Sequence, residues 1–309
     1  MRYLLIISFF FSHFLPLAAK VEESIIPLMD VIFERNATAN QPPKIRVIAY
    51  NMLYNVKIAE DKLPEIHRWA SRKPRLLEYL EFTNADIIGS QELQANQLQE
   101  ILESLGKTYA YYGEKTRENE GRTDVNAVFY KHERFKLVES KTTPYHDLKS
   151  QNAFTYCRLK DTASDKTFIV INTKFTYGIS WGALKRREAE AIQLHDFIQD
   201  IPSDESIMIT GDFNTIPLLD SSSIMRILTG KHLHDAINLS FSGHLGPYCS
   251  ITNSKFFTPF TGPELTGFIP DHIFVNNKVD VLSHGIDTAK VNGEFPSDHF
   301  PVIIDIFLK

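Results

Sequence analysis

The sequence predicts an α+β domain with more than one β-sheet. Three observations predict it. Short β-rich runs recur from Lys44 onward, amphipathic helical patterns separate only some of them, and no break in composition divides this span. The runs are 45–50 (IRVIAY), 86–89 (DIIG), 125–130 (VNAVFY), 167–173 (TFIVINT), 206–210 (SIMIT), 272–275 (HIFV) and 300–307 (FPVIIDIF). Most are built on Ile, Val, Phe and Tyr, which suit a pleated, covered surface. Helices are expected at 74–82 and 95–105, where apolar residues fall three and four apart. A third is expected at 182–199, with Leu184, Ala191, Leu194 and Ile198 on one face.

At 309 residues, 43% hydrophobic and 23% charged, the chain can bury a sizeable core. A net charge of -5 argues against a basic surface that coats nucleic acid. It leaves a nucleic-acid substrate open, because a divalent cation in an acidic site supplies the positive charge a phosphate needs. The start, MRYLLIISFFFSHFLPLAAK, has one basic residue, an apolar run and then Leu17-Ala18-Ala19. That layout predicts a secretory leader over 1–19, hence an exported protein, periplasmic or extracellular. Residues 20–43 read as an N-terminal arm that ends at Pro42-Pro43, and 44–309 as the catalytic domain. Cys157 and Cys249 could pair or stay as thiols, since spacing alone fixes no distance.

The polar residues at the strand ends carry the chemistry. IRVIAYNML stops on Asn51, ADIIGSQEL on Glu92, and IVINTKF passes through Asn172 to Lys174. IMITGDFN stops on Asp212 and Asn214, IPDHIFV starts at Asp271, and PSDHFPVIIDI opens with Asp298-His299. Singly, each has an ordinary explanation as an Asx turn, a helix-dipole acid, a cap or a solvated charge. Gathered at one edge of packed sheets, they form a cleft of oxygen ligands with one histidine. Carboxylates and amides without cysteine suit a hard cation, Mg²⁺, Mn²⁺ or Ca²⁺. A protonated histidine beside carboxylates can stabilise a phosphate oxyanion, and an aspartate can deprotonate a water. Together these parts describe metal-assisted hydrolysis of a phosphate ester.

YNML, SQE, GDFN, DHIFV and SDHFPV, in this order and at these separations, resemble the endonuclease/exonuclease/phosphatase superfamily over about residues 44–309. NAVFYKHERFKLVES is similar to the family's central strand and hairpin, and FTYCRLKD to the strand that follows. The resemblance implies a two-sheet β-sandwich flanked by helices, layered α/β/β/α, with the site at one edge. It implies Mg²⁺ (or Mn²⁺) at Asn51 and Glu92, with Asp298 as a polar neighbour or second ligand. Asp212 would activate the water, Asn214 would help hold water and phosphate, and His299 would stabilise the transition state, oriented by Asp271. The substrate would be a phosphoester: nucleic acid, phospholipid or sugar phosphate. No stable protein partner is implied, and a monomer is expected. A binding protein on the same fold that has lost catalysis is the alternative from another class.

Two departures from the family pattern stand out. Lys174 occupies a position where many members carry histidine, and Phe268-Ile269-Pro270 precede Asp271 where close relatives carry a basic residue. Other candidates are weaker. His232, His234 and His244 lack metal-ligand spacing and read as surface histidines. The run Lys185–Glu190 reads as a solvated helix face from which Arg186 or Arg187 could reach a phosphate. Tyr54, Tyr177, Trp181, Phe256, Phe257 and Phe260 follow strand ends, where they could stack on a base, contact lipid or pack the loops.

Overall fold

The computed structural model describes residues 21–22, 24–37, 41–116, 123–146, 152–216, 219–229, 233–252 and 269–309. The leader reading of 1–19, His232, and Phe256, Phe257, Phe260 and Phe268 fall outside them. Among the described residues, thirteen strands form two mixed sheets. The first runs, edge to edge, as His244–Leu245 (β11), Val279–Ile286 (β13), Val302–Leu308 (β15), Ile45–Asn51 (β2), Ile87–Gln91 (β3), Val128–Lys131 (β5) and Tyr109–Tyr112 (β4). The second runs as Leu233–Asp235 (β10), Asp271–Asn276 (β12), Ser206–Asp212 (β9), Thr167–Lys174 (β8), Ala153–Asp161 (β7) and Phe135–Pro144 (β6). Val21–Glu22 (β1) and Lys290–Val291 (β14) make a separate pair.

The strands read as near-continuous apolar runs because both faces of each sheet are covered. In β2, Val47 and Ala49 face the other sheet and join a core with Val170, Met208 and Ile273. Ile48 and Tyr50 face the other way, onto Leu76, Leu80, Leu98 and Ile101 of the helices Trp69–Thr83 and Ala95–Leu105. On the far side, Ile207 and Ile209 of β9 meet Ala191, Leu194 and Ile198 of the helix Trp181–Gln199. Four layers, α/β/β/α, follow from period-2 alternation on strands whose two faces are both apolar.

Beneath the rim of the sandwich the apolar core gives way to a polar layer. Asn172 Oδ1 accepts from Gln91 Nε2 at 2.6 Å and Thr210 Oγ1 at 3.0 Å, and its Nδ2 donates to the Ser90 and Ala127 carbonyls at 2.7 and 3.1 Å. One amide thus joins the two sheets with all its hydrogen-bonding groups used. Gly89 makes the approach possible, since a Cβ there would lie 1.9 Å from Thr210 Oγ1 and 2.8 Å from Asn172 Oδ1. Gly89→Ala is therefore expected to destabilise the fold by about 1–3 kcal/mol, read as an earlier urea midpoint. An unchanged midpoint would show that the sheets can part at no cost.

The structure departs from sequence expectation at several elements. The arm contains a helix, Ile26–Asn36, docked through buried Ile26 and Met29, with Asp30 paired to Lys44 and Arg46. The helix expected at 74–82 begins at Trp69, ahead of Pro74, where Glu60 accepts from the Trp69 N–H at 2.9 Å and caps the first turn. The strand β13 and the helix Ser221–Thr229 lay outside the expected elements. Cys157 and Cys249 are both free thiols. Burial pushes Cys157 up to about 12.

Candidate active site

Inward-facing positions of four strands end in functional groups. The series Ile45, Val47, Ala49 on β2 ends at Asn51, and Met208, Thr210 on β9 ends at Asp212. Phe168, Val170, Asn172 on β8 ends at Lys174, and β12 starts with Asp271 ahead of Ile273 and Val275. Register sets Lys174, Asp212 and Asp271 side by side across the six-stranded sheet. Asn51 comes from the facing sheet, and its Nδ2 donates to Asp212 Oδ2 at 2.9 Å.

His299 enters on the segment before β15. Its Nδ1 lies 2.8 Å from Asp271 Oδ2 and its Nε2 3.5 Å from Asn51 Nδ2. Polar atoms of Asp212, Asp271 and His299 all lie within 4.8 Å of one another. Ser250 Oγ donates to Asp271 Oδ2 at 2.7 Å, and the Asp271 Oδ1 atom is buried without a partner among the described residues. Burial opposes a charged imidazole, but the charge and hydrogen bond of Asp271, helped by Asp212 and Asp298, lift His299 to about 10. The direction of the shift favours the imidazolium at neutral pH. Burial, with the Asp271 charge, raises Asp212 to about 6 against the pull of His299 and Lys174. A buried carboxylate so placed suits proton abstraction near neutrality.

Glu92 follows β3 in a left-handed conformation, φ 67°, which a non-glycine residue adopts at a cost and which clusters at functional sites. Its Oε2 accepts from Tyr54 N–H at 3.3 Å, and its Oε1 pairs with Lys174 Nζ. Asp298 is raised by burial, with the Glu92 charge pushing the same way and His299 and Arg72 opposing. The charges of Glu92 and Asp298 oppose each other, which a hard cation between them would relieve, and the Asn51 amide oxygen accepts from the Leu53 N–H at 3.0 Å. Asn214, also left-handed at φ 49°, donates its backbone N–H to Asp212 Oδ1 at 3.1 Å and its Nδ2 to the Phe175 carbonyl at 3.1 Å. It braces the segment after Lys174.

Three supporting residues were assigned no role from the sequence, although Ser297 opens the SDHFPV motif. Fully buried Arg72 donates to the carbonyls of His67, Met52, Leu53 and Pro296, tying the segment after Asn51 to the one before Asp298. Ser250 holds Asp271. Ser297 Oγ donates to the Asn51 carbonyl at 2.7 Å.

Other expectations are corrected. Arg187 is wholly buried and donates to the Thr176 and Gly178 carbonyls and to Asp220, while Glu190 accepts from Thr176 N–H at 2.7 Å. They brace the loop after β8 and do not lie on a solvated face. Asn172 bridges the sheets below the cleft. His234 is exposed, as expected, but His244 is half-buried with its Nδ1 2.9 Å from that of His284.

A mixed two-sheet sandwich with acid, amide and histidine groups converging at one rim defines a phosphoesterase-type scaffold. The chain belongs to the Endonuclease/Exonuclease/phosphatase family, whose family model matches residues 48–299. It is 29% identical to Protein angel of Drosophila melanogaster over 209 residues, 60% of this chain and 56% of that protein. It thus spans little more than half of that relative's length. Among solved structures it shares its fold with the Bacteroides thetaiotaomicron mannosyl-6-phosphatase (TM-score 0.70, 20% identity, 85% of this chain and 100% of that one). It shares it also with D. rerio TDP2 complexed with single strand DNA product (TM-score 0.65, 16% identity, 85% and 99%).

Proposed function

We propose that the protein is an exported, divalent-metal-dependent phosphoester hydrolase that cleaves phosphodiesters. The observation that carries this reading is geometric: Asp212, held by the Asn51 amide, stands in one cluster with His299, whose Nδ1 lies 2.8 Å from Asp271 Oδ2. Asp212 takes a proton from a water as the water oxygen bonds to phosphorus. The bond to the leaving oxygen breaks with its electron pair, and that oxygen is reprotonated from solvent. His299, held by Asp271, bears the charge that develops on the phosphoryl oxygens. Asn51 orients the Asp212 carboxylate. Mg²⁺ or Mn²⁺, held by Asn51, Glu92 and Asp298, would supply Lewis-acid stabilisation of the same oxygens when bound. Supporting the reading are the family membership and the leader-like N-terminus.

Incubating the protein with bis(p-nitrophenyl) phosphate and Mg²⁺ or Mn²⁺ tests it. Nitrophenolate release that stops with a chelator and returns with added metal is expected. No turnover of this ester, DNA, RNA, sphingomyelin or a sugar phosphate with any divalent metal would overturn it in favour of a binding protein. The pH profile adds a second check. Asp212 works deprotonated, so kcat/KM should rise as pH passes about 6, and His299 works protonated, so the rate should hold until about 10. Asp271→Asn should bring the alkaline limb toward neutrality, and an unmoved limb would separate it from His299.

A second reading, action on a phosphodiester at a lipid surface, is favoured by Tyr177, Ile179 and Trp181. These are 82, 76 and 72% exposed; Tyr177 and Ile179 lie on the loop after Lys174 that Arg187 and Glu190 brace, and Trp181 opens the helix that follows. Exposed apolar side chains clustered this closely mark interaction sites.

A further inference from the structure

Lys174 holds an unusual place. It ends the inward series of β8, level with Asp212, and is 5% exposed. Its ammonium pairs with Oε1 of Glu92, itself 8% exposed, while Tyr54 N–H takes the other oxygen at 3.3 Å. The carboxylate best placed to hold a metal thus already has a cation against one oxygen and a donor on the other.

We infer that Lys174 acts as a resident cation that competes with the divalent metal for Glu92, so that this chain binds its metal weakly until a phosphate draws the ammonium away. The inference rests on the metal-dependent reading above. A lysine ammonium is a compact point charge on a flexible four-carbon stem, so it can follow a carboxylate or a phosphate without the backbone moving. In a site with little water, a unit charge beside a carboxylate is screened far less than at the surface, so cancelling it strongly weakens attraction for a second cation. A phosphate oxygen offers the ammonium an equivalent charge-assisted partner, and one Glu92 oxygen is then released to the metal. Metal and phosphodiester should therefore bind with positive coupling, each tightening the other by the same factor.

The test measures metal binding directly, apart from turnover. Mn²⁺ is titrated by electron paramagnetic resonance into the full chain, into Lys174→Met, which keeps the stem and drops the charge, and into Lys174→Arg, which keeps the charge. Lys174→Met should bind Mn²⁺ at least tenfold tighter than the unsubstituted chain, with Lys174→Arg remaining weak. A non-hydrolysable phosphorothioate diester should tighten Mn²⁺ binding in the unsubstituted chain and much less in Lys174→Met. Thermal melts confirm that each variant is folded before titration. Equal or weaker Mn²⁺ binding by folded Lys174→Met would overturn the inference, as would a diester effect that survives the substitution unchanged. Neither outcome depends on hydrolysis, so an inactive protein that shows the Lys174 effect would contradict the enzymatic reading while leaving this one standing.

Discussion

Asp212→Asn is expected to lower kcat by about 10²–10⁴-fold, the range for loss of a positioned general base. The replacement amide has the same shape, and its oxygen can still accept from Asn51 Nδ2, which lies 2.9 Å from Asp212 Oδ2. It cannot take a proton from water. Burial and Asp271 disfavour the charge at this position, so its loss costs little stability, but the new amide nitrogen faces the Asn214 N–H and one hydrogen bond is lost, at about 1 kcal/mol. A kcat within threefold of the parent, with an unchanged melting temperature, would remove Asp212 from the proton transfer.

His299→Gln is the second large effect, with an expected loss of about 10²–10³-fold in kcat, the range for one donor to a developing oxyanion. It should also destabilise the fold by about 3–5 kcal/mol, since the fully buried Asp271 carboxylate loses its countercharge. The two losses can be separated. Adding Asp271→Asn to His299→Gln removes the uncompensated charge and should recover most of the stability with none of the rate. Recovery of the rate as well would show that His299 is only a structural partner of Asp271.

The strand-borne part of the site was legible in the sequence because strand parity carries it. Asn51, Lys174, Asp212 and Asp271 sit in phase with core residues such as Ala49, Val170, Met208 and Ile273, so the same alternation that builds the core points them inward. Residues that act through backbone contacts were not legible. Arg72 reaches the Pro296 carbonyl across 224 positions of sequence, and Ser250 reaches Asp271 from a loop with no periodic signal. Arg187 is a different case. It lies four residues from both Ala183 and Ala191, on the buried stripe of its helix, so its spacing indicated burial while its charge suggested solvent. Asn172 shows the converse. It shares the inward parity of the site residues but lies one step deeper, where packed sheets leave room for a bridge and none for a substrate.

In the proposed mechanism a water aligned by Asp212 attacks phosphorus. Hydrolysis of bis(p-nitrophenyl) phosphate in oxygen-18 water with Mn²⁺, followed by phosphorus NMR after removal of the metal, tests it most directly. One labelled oxygen on the phosphorus of every product molecule, formed at a rate that collapses in Asp212→Asn, is the predicted result. Label appearing in the nitrophenol, or labelled phosphate formed equally fast by folded Asp212→Asn, would contradict it.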